Sequence, residues 1–110
     1  MRGPTALDCA TPLAGTTLTD DDAVELERLL RVLADRHRLR IANMLLQADG
    51  EPICVCEFIP VLGLSQPTVS YHLKQLAEAG IVERERRGSF VYYRLLPAAL
   101  ESLSGLIAPR

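Results

Sequence analysis

Residues 64–76 read Leu64-Ser65-Gln66-Pro67-Thr68-Val69-Ser70-Tyr71-His72-Leu73-Lys74-Gln75-Leu76, and this stretch decides the fold. Ser65 is a good helix N-cap, and Pro67 falls in the first turn, where a missing N–H costs nothing. Val69, Leu73, Leu76 and Ala77 recur at helical spacing and predict an inward face. Gly80 supplies the stop, so a helix spans residues 65–79. At 1.5 Å per residue it is roughly 22 Å long. Gln66, Ser70, Tyr71, Lys74 and Gln75 then face outward, with Thr68 flanking them at the N-terminal end. His72 sits beside the inward face and is expected to be partly buried and bonded to backbone.

Downstream, residues 81–86 and 90–95 are two β-prone runs around Arg87-Gly88-Ser89, which predicts a hairpin. Tyr92 and Tyr93 fall on opposite sides of its second strand. Pro97 opens a last helix carrying Leu100, Leu103, Leu106 and Ile107. Upstream, Gly63 closes a short helix over residues 55–62. Asp49-Gly50-Glu51-Pro52 is a strong breaker before it. Leu39, Ile41, Ala42, Leu45 and Leu46 mark an earlier helix, with His37 at its junction as a surface or packing residue. Thr19 or Asp20 caps the first helix, whose stripe is Val24, Leu26, Leu29, Leu30 and Leu33. Residues 1–18 show no period and are read as a flexible arm, leaving 19–110 as one domain.

The order is three helices, a turn, a fourth helix, a basic hairpin and a last helix. The expected fold is therefore mostly α with a small β-hairpin wing: a winged helix-turn-helix. A helix of this diameter fits the major groove of double-stranded DNA, and its early residues meet base edges. Gln66 can pair bidentately with adenine, the Thr68 methyl can meet a thymine methyl, and Lys74 can meet phosphate. Arg86 and Arg87 at the hairpin tip can reach backbone or an adjacent minor groove.

The formal net charge of −2 looks wrong for that role. Position matters more than the sum. Residues 1–64 carry six basic and ten acidic side chains, whereas residues 65–94 carry Lys74, Arg84, Arg86, Arg87 and Arg94 against Glu78, Glu83 and Glu85. With two Phe, three Tyr and no Trp, the core must rest on aliphatic residues, leaving apolar stripes that a second subunit can cover. No apolar run is long enough to span a membrane, and no signal-peptide core follows Arg2. A cytoplasmic protein is expected, in which the three cysteines stay free thiols.

Residues 32–41 (Val-Leu-Ala-Asp-Arg-His-Arg-Leu-Arg-Ile), residues 64–76 and the wing residues Gly80-Ile81-Val82 and Arg86-Arg87-Gly88-Ser89-Phe90-Val91-Tyr92-Tyr93 together resemble the ArsR/SmtB metalloregulators over residues 22–107. The resemblance implies a homodimer built from the first and last helices. It also implies repression of a detoxification operon, and release of operator DNA on ion binding. Arg36 stands where the family usually has Pro.

Ile53-Cys54-Val55-Cys56-Glu57-Phe58 resembles the Cys-x-Cys element of the arsenic-, antimony- and cadmium-responsive members, and points to the arsenic-responsive type. Residues two apart in a regular helix point about 200° from each other. Cys54 and Cys56 can share one ion only if they sit in a non-helical lead-in after Pro52, or if the first turn unwinds. Soft thiolates select soft ions, so arsenite or antimonite, As(III) or Sb(III), is the expected inducer. The arsenic-type members carry a third cysteine three residues past the pair, where this chain has Ile59. Cys9 is the remaining cysteine and the candidate third ligand.

Zinc fits poorly, because the last helix offers no His and only Glu101. A cadmium or lead sensor and a thiol redox sensor are the alternatives on the same fold. An enzyme is not expected. A Cys-x-x-Cys beside a βαβ pattern is missing, as are a Ser-His-Asp order and a phosphate-binding Gly loop. A protein-interaction module on the same fold would lack a salt-sensitive affinity for DNA.

Overall fold

The computed structural model describes residues 17–107, with the side chains of Leu106 and Ile107 outside the description. Among the described residues, five helices and three strands follow in order: α1 (Asp20–Leu33), α2 (Arg36–Gln47), β1 (Ile53–Cys54), α3 (Val55–Leu62), α4 (Gln66–Glu78), β2 (Val82–Arg87), β3 (Phe90–Leu95) and α5 (Pro97–Ile107). The winged helix-turn-helix is the observed fold: α3 and α4 form the helix-turn-helix, and β2–β3 form the wing.

Local chemistry sets the boundaries. Thr19 caps α1 by accepting from the Asp22 N–H at 3.1 Å. Gly63, at φ 69°, takes the left-handed position that ends α3, and its N–H reaches the Ile59 carbonyl at 2.9 Å. Ser65 caps α4, and Pro67 sits in the first turn.

Asp35 caps α2, where its Oδ1 accepts from the N–H groups of His37 at 2.9 Å and Arg38 at 3.1 Å. Burial alone would raise the Asp35 carboxyl. The two backbone donors and the Arg38 charge outweigh it and hold the carboxyl below the usual carboxylate range. Arg36, at the first helical position, needs no proline to start the helix. Asp35→Ala should cost about 1 kcal/mol and lower the midpoint of thermal unfolding. Because the folded value is depressed, this contribution is complete above the unfolded carboxylate range. It is lost as pH falls through the folded value, so the gap between variant and parent should close in acid.

The core is mostly aliphatic, with Phe58 and Tyr93 among its buried residues. Phe58, Ile41, Leu45, Leu73, Leu76, Ile81, Val69 and Val82 are fully buried. On α1, Leu26, Leu29 and Leu33 turn inward, while Val24 and Leu30 stay exposed. On α2, Ile41, Ala42 and Leu45 are buried. Leu39 and Leu46, in the same apolar set by sequence, are exposed. They lie about 110° around the helix from the centre of the buried set, beyond the reach of the core.

The sheet has the order β1-β3-β2 and is antiparallel throughout. Arg87 pairs with Phe90, which leaves Gly88-Ser89 as a two-residue turn with Gly88 at φ 62°. The sequence reading had no β1. Its two residues pair Ile53 with Tyr93 and Cys54 with Tyr92, a run too short to show alternation. This pairing ties the start of α3 to the wing.

Candidate nucleic-acid interface and thiol site

The capping of α4 fixes which side chains it presents. Val69, His72, Leu73 and Leu76 are buried. Gln66, Thr68, Ser70, Tyr71 and Lys74 are exposed, and Gln75 is half-buried. Gln66, Ser70 and Lys74 recur every four residues and form one row along the helix. The Thr68 hydroxyl accepts from Ser65 Oγ at 3.0 Å, which occupies the hydroxyl at the helix start.

On the wing, charges pair in part. Arg94 donates to Glu83 at 2.6 and 2.9 Å, and Arg87 donates to Glu85 at 2.6 Å. Arg87 also stacks over the Tyr92 ring, 4.7 Å from its centroid. Hydrogen bonding to Glu85 raises the Arg87 pKa further. Arg86 donates to the Gly88 carbonyl at 3.1 Å. Among the described residues Lys74, Arg84 and Arg86 have no acidic partner in a salt bridge. Arg84, which lines a cleft with Gln66, Ser70 and Lys74, was not among the candidates read from the sequence. Its signal was its place two residues from Arg86, on the same side of β2.

The sequence had suggested a bond from His72 to backbone; among the described residues its side chain meets a side chain instead. His72 is 7% exposed, and its Nδ1 lies 3.0 Å from a guanidinium nitrogen of Arg38. Thirty-four residues separate the two in sequence, so no local pattern signals the contact. Tyr93 is buried, and Tyr92, on the opposite side of β3, is half-buried.

Cys54 is the N-cap of α3, in extended conformation at φ −66° and ψ 141°. Cys56 is the second helical residue. The sequence offered two ways for them to meet, both cysteines in a non-helical lead-in or an unwound first turn; the structure has neither, because Cys54 alone sits outside the helix and Cys56 lies in its first turn. Their sulfur atoms are in direct contact and pair as a disulfide, with Cα atoms 5.2 Å apart, where the sequence had led us to expect free thiols. Cys54 Sγ accepts from the Cys56 N–H at 3.3 Å, and Glu57 accepts from the Cys54 N–H at 3.4 Å, which closes a capping box. Cys54 is buried, whereas Cys56 is exposed. Pro60 lies inside α3. Its ring nitrogen cannot donate to the Cys56 carbonyl four residues back, which weakens the turn that carries the cysteines.

Cys54 and Cys56 line an open cleft of about 670 Å³. Its other walls include Gln66, Ser70 and Lys74 of α4 and Arg84 of β2. The structure thus brings the cysteine pair and the outward row of α4 to one cavity. Among the described residues no third His, Cys, Asp or Glu completes a metal-binding cluster. Cys9 lies outside the described residues.

Residues 35–84 match the bacterial regulatory protein, arsR family. The arsenical resistance operon repressor of Bacillus subtilis is 34% identical over 82 residues, which are 74% of this chain and 73% of that relative. The chain belongs to the arsR family of bacterial regulatory proteins. The arsenic resistance transcriptional regulator ArsR1 of Pseudomonas putida is 49% identical over 69 residues, 63% of this chain. That match spans about half of the relative's length, 52%. Among solved structures, the AntR antimony-specific transcriptional repressor superposes with a TM-score of 0.68 at 30% identity, covering 81% of this chain and 79% of that one. The arsR-family match contains the Cys54–Cys56 pair, all of α4 and the start of the wing.

Proposed function

We propose that this arsR-family protein is a transcriptional repressor that holds operator DNA as a homodimer and releases it when arsenite or antimonite is captured by thiolates. Cys54 and Cys56 supply two of the ligands and Cys9 the third. Gln66, Thr68, Ser70, Tyr71 and Lys74 meet the major groove, and Arg84, Arg86 and Arg87 of the wing meet backbone. The observation that carries this reading is the cleft shared by the two sulfurs and the α4 row. A guest held on the sulfurs stands at the wall of the surface that would grip DNA. It also pulls on the α3 turn that Pro60 leaves weakly bonded.

Names of relatives add support, since those proteins are arsenic resistance regulators and an antimony-specific repressor. For the dimer, Val24 and Leu30 leave α1 with exposed apolar surface, and an apolar groove of about 480 Å³ runs beside them, walled by Leu18, Leu26 and Leu30.

Salt dependence tests the DNA half. Each phosphate contact removed should flatten the slope of log affinity against log salt by about 0.9. The double variant Arg84→Ala/Arg86→Ala should lose about 1.8 of slope and bind promoter DNA at least about tenfold more weakly. Arg87→Ala should change both by less, because Glu85 already neutralises Arg87. Fluorescence anisotropy of a labelled duplex from the protein's own promoter reads both. Slopes that do not change in the double variant would remove the wing from the interface.

A second reading has one observation in its favour, the direct contact of the two sulfurs. Two thiols and one hydrogen peroxide give a disulfide and two waters, with both sulfurs oxidised and the peroxide oxygen reduced. In that case peroxide would release the duplex at a lower dose than arsenite does. The arsenite reading expects the reverse order.

A further inference from the structure

Both histidines of the chain, His37 and His72, lie in one cluster that the repressor reading leaves unused. Their ring centroids are 5.5 Å apart. Arg38 organises the cluster. Its Nε donates to the Val32 carbonyl at the end of α1 at 2.6 Å, and its Nη1 lies 3.0 Å from His72 Nδ1 on α4. One guanidinium on α2 thus bridges the end of α1 and the middle of α4. Arginine has donors only, so His72 Nδ1 must present its lone pair and the ring proton must sit on Nε2. The next residue, Tyr71, stands edge-on to the His72 ring at 5.4 Å and is itself exposed on the outward face of α4.

We infer that the Arg38–His72 contact is a positioning device for α4: an uncharged His72 keeps the helix seated on α2, and a proton taken up on Nδ1 releases it. With that proton the ring has two donors and no acceptor. The Arg38 Nη1 hydrogen then faces a cation instead of a lone pair. The contact breaks, and Tyr71, Ser70 and Lys74 lose their register with the groove. This inference rests on the DNA-binding reading above and adds a residue pair that touches no DNA.

The charged and titratable groups facing His72 are Arg38, His37 and Asp35 of α2, and Tyr71 of its own helix. Burial holds the imidazole below its ordinary value. Asp35 opposes that, and Arg38 and His37 reinforce it. His72 is therefore uncharged at neutral pH. Because its folded value is depressed, the contact's stabilisation is complete above the ordinary imidazole range and is lost as pH falls through the folded value.

The test compares parent, His72→Asn and His37→Asn on the promoter duplex from about pH 7.5 down through the pH at which NMR shows the His72 ring of the parent protonated. The parent is expected to lose about tenfold in affinity across that range. An Asn Oδ1 can stand near the place of Nδ1, accept from Arg38 and never titrate, so His72→Asn should bind well at both ends with a flat profile. His37→Asn should keep the parental slope. A flat parent, or a parental slope retained in His72→Asn, overturns the proposal.

NMR of the DNA-free parent gives a second reading that needs no variant to fold. Amide shifts of α4 should move together with the His72 ring titration, and α4 amides that stay still while His72 titrates overturn the proposal. A protein that bound no promoter DNA at any pH would sink the repressor reading, and the amide shifts would still decide this one.

Discussion

Cys54→Ser and Cys56→Ser should each leave promoter binding near the parental value and raise the arsenite needed for release by about a hundredfold or more. The two halves of this result come from different parts of the site. Cys54 is the N-cap of α3 and accepts a backbone hydrogen bond through sulfur. Serine is a better cap than cysteine, so the helix should start as before. Cys56 is exposed, and its loss opens no cavity. Neither substitution removes a side chain of the α4 row. What each removes is one of two sulfurs that meet, and a hydroxyl is a hard, poor ligand for a soft ion. Cys9→Ser separates a three-thiolate site from a two-thiolate one. A large rise in the arsenite requirement places Cys9 in the site, and release at the parental dose takes it out. Anisotropy of the labelled promoter duplex under arsenite titration reads all three variants.

Phe58→Ala should destabilise the fold by about 3–5 kcal/mol. Phe58 is fully buried on α3, two residues beyond Cys56. Its ring belongs to the same core as Ile41 of α2, Val69 of α4 and Tyr93 of β3. Truncation loses transfer energy and leaves a hole that the backbone around Pro60 and Gly63 is poorly placed to close. A domain of this size has about 5–15 kcal/mol in total, so a large part of the stability goes. Urea unfolding followed by circular dichroism should show a much lower midpoint with little change in slope. Val61→Ala on the same helix is the contrast. Val61 is half exposed, and its loss should cost within about 0.5 kcal/mol. Equal losses at the two positions would contradict the buried placement of Phe58.

Features written locally in the chain could be read without coordinates. Ser65 with Pro67, Gly63 after Leu62, and the Asp49–Pro52 breaker each fix a boundary through the chemistry of one or two residues, and the structure has all of them. The outward face of α4 followed from placing Val69, Leu73 and Leu76 inward. What escaped was set by contacts distant in sequence. The β1 pairing needs the wing to fold back over residues 53–54. The bond of His72 to Arg38 depends on how α2 packs against α4.

The thiol site was half legible. Cys-x-Cys beside Pro52 left two geometries open, and the observed one, with the start of α3 falling between the two cysteines, is a third that only backbone angles reveal. Nothing in the sequence separates Arg87, already neutralised by Glu85, from Arg86 and Arg84, because each of the three has a glutamate within two residues and side-chain geometry decides which of them pairs. Leu39 and Leu46 show the same limit for burial. They are apolar on a helix with a well-formed stripe, and their angle around the axis keeps them in solvent.

Adding arsenite to the preformed protein–promoter complex, with duplex anisotropy and arsenic-edge X-ray absorption recorded on the same sample, puts the sulfur-to-groove link under direct trial. The expected result is loss of the duplex in step with the appearance of arsenic surrounded by sulfur. Arsenic bound to sulfur while the duplex stays in place would contradict it.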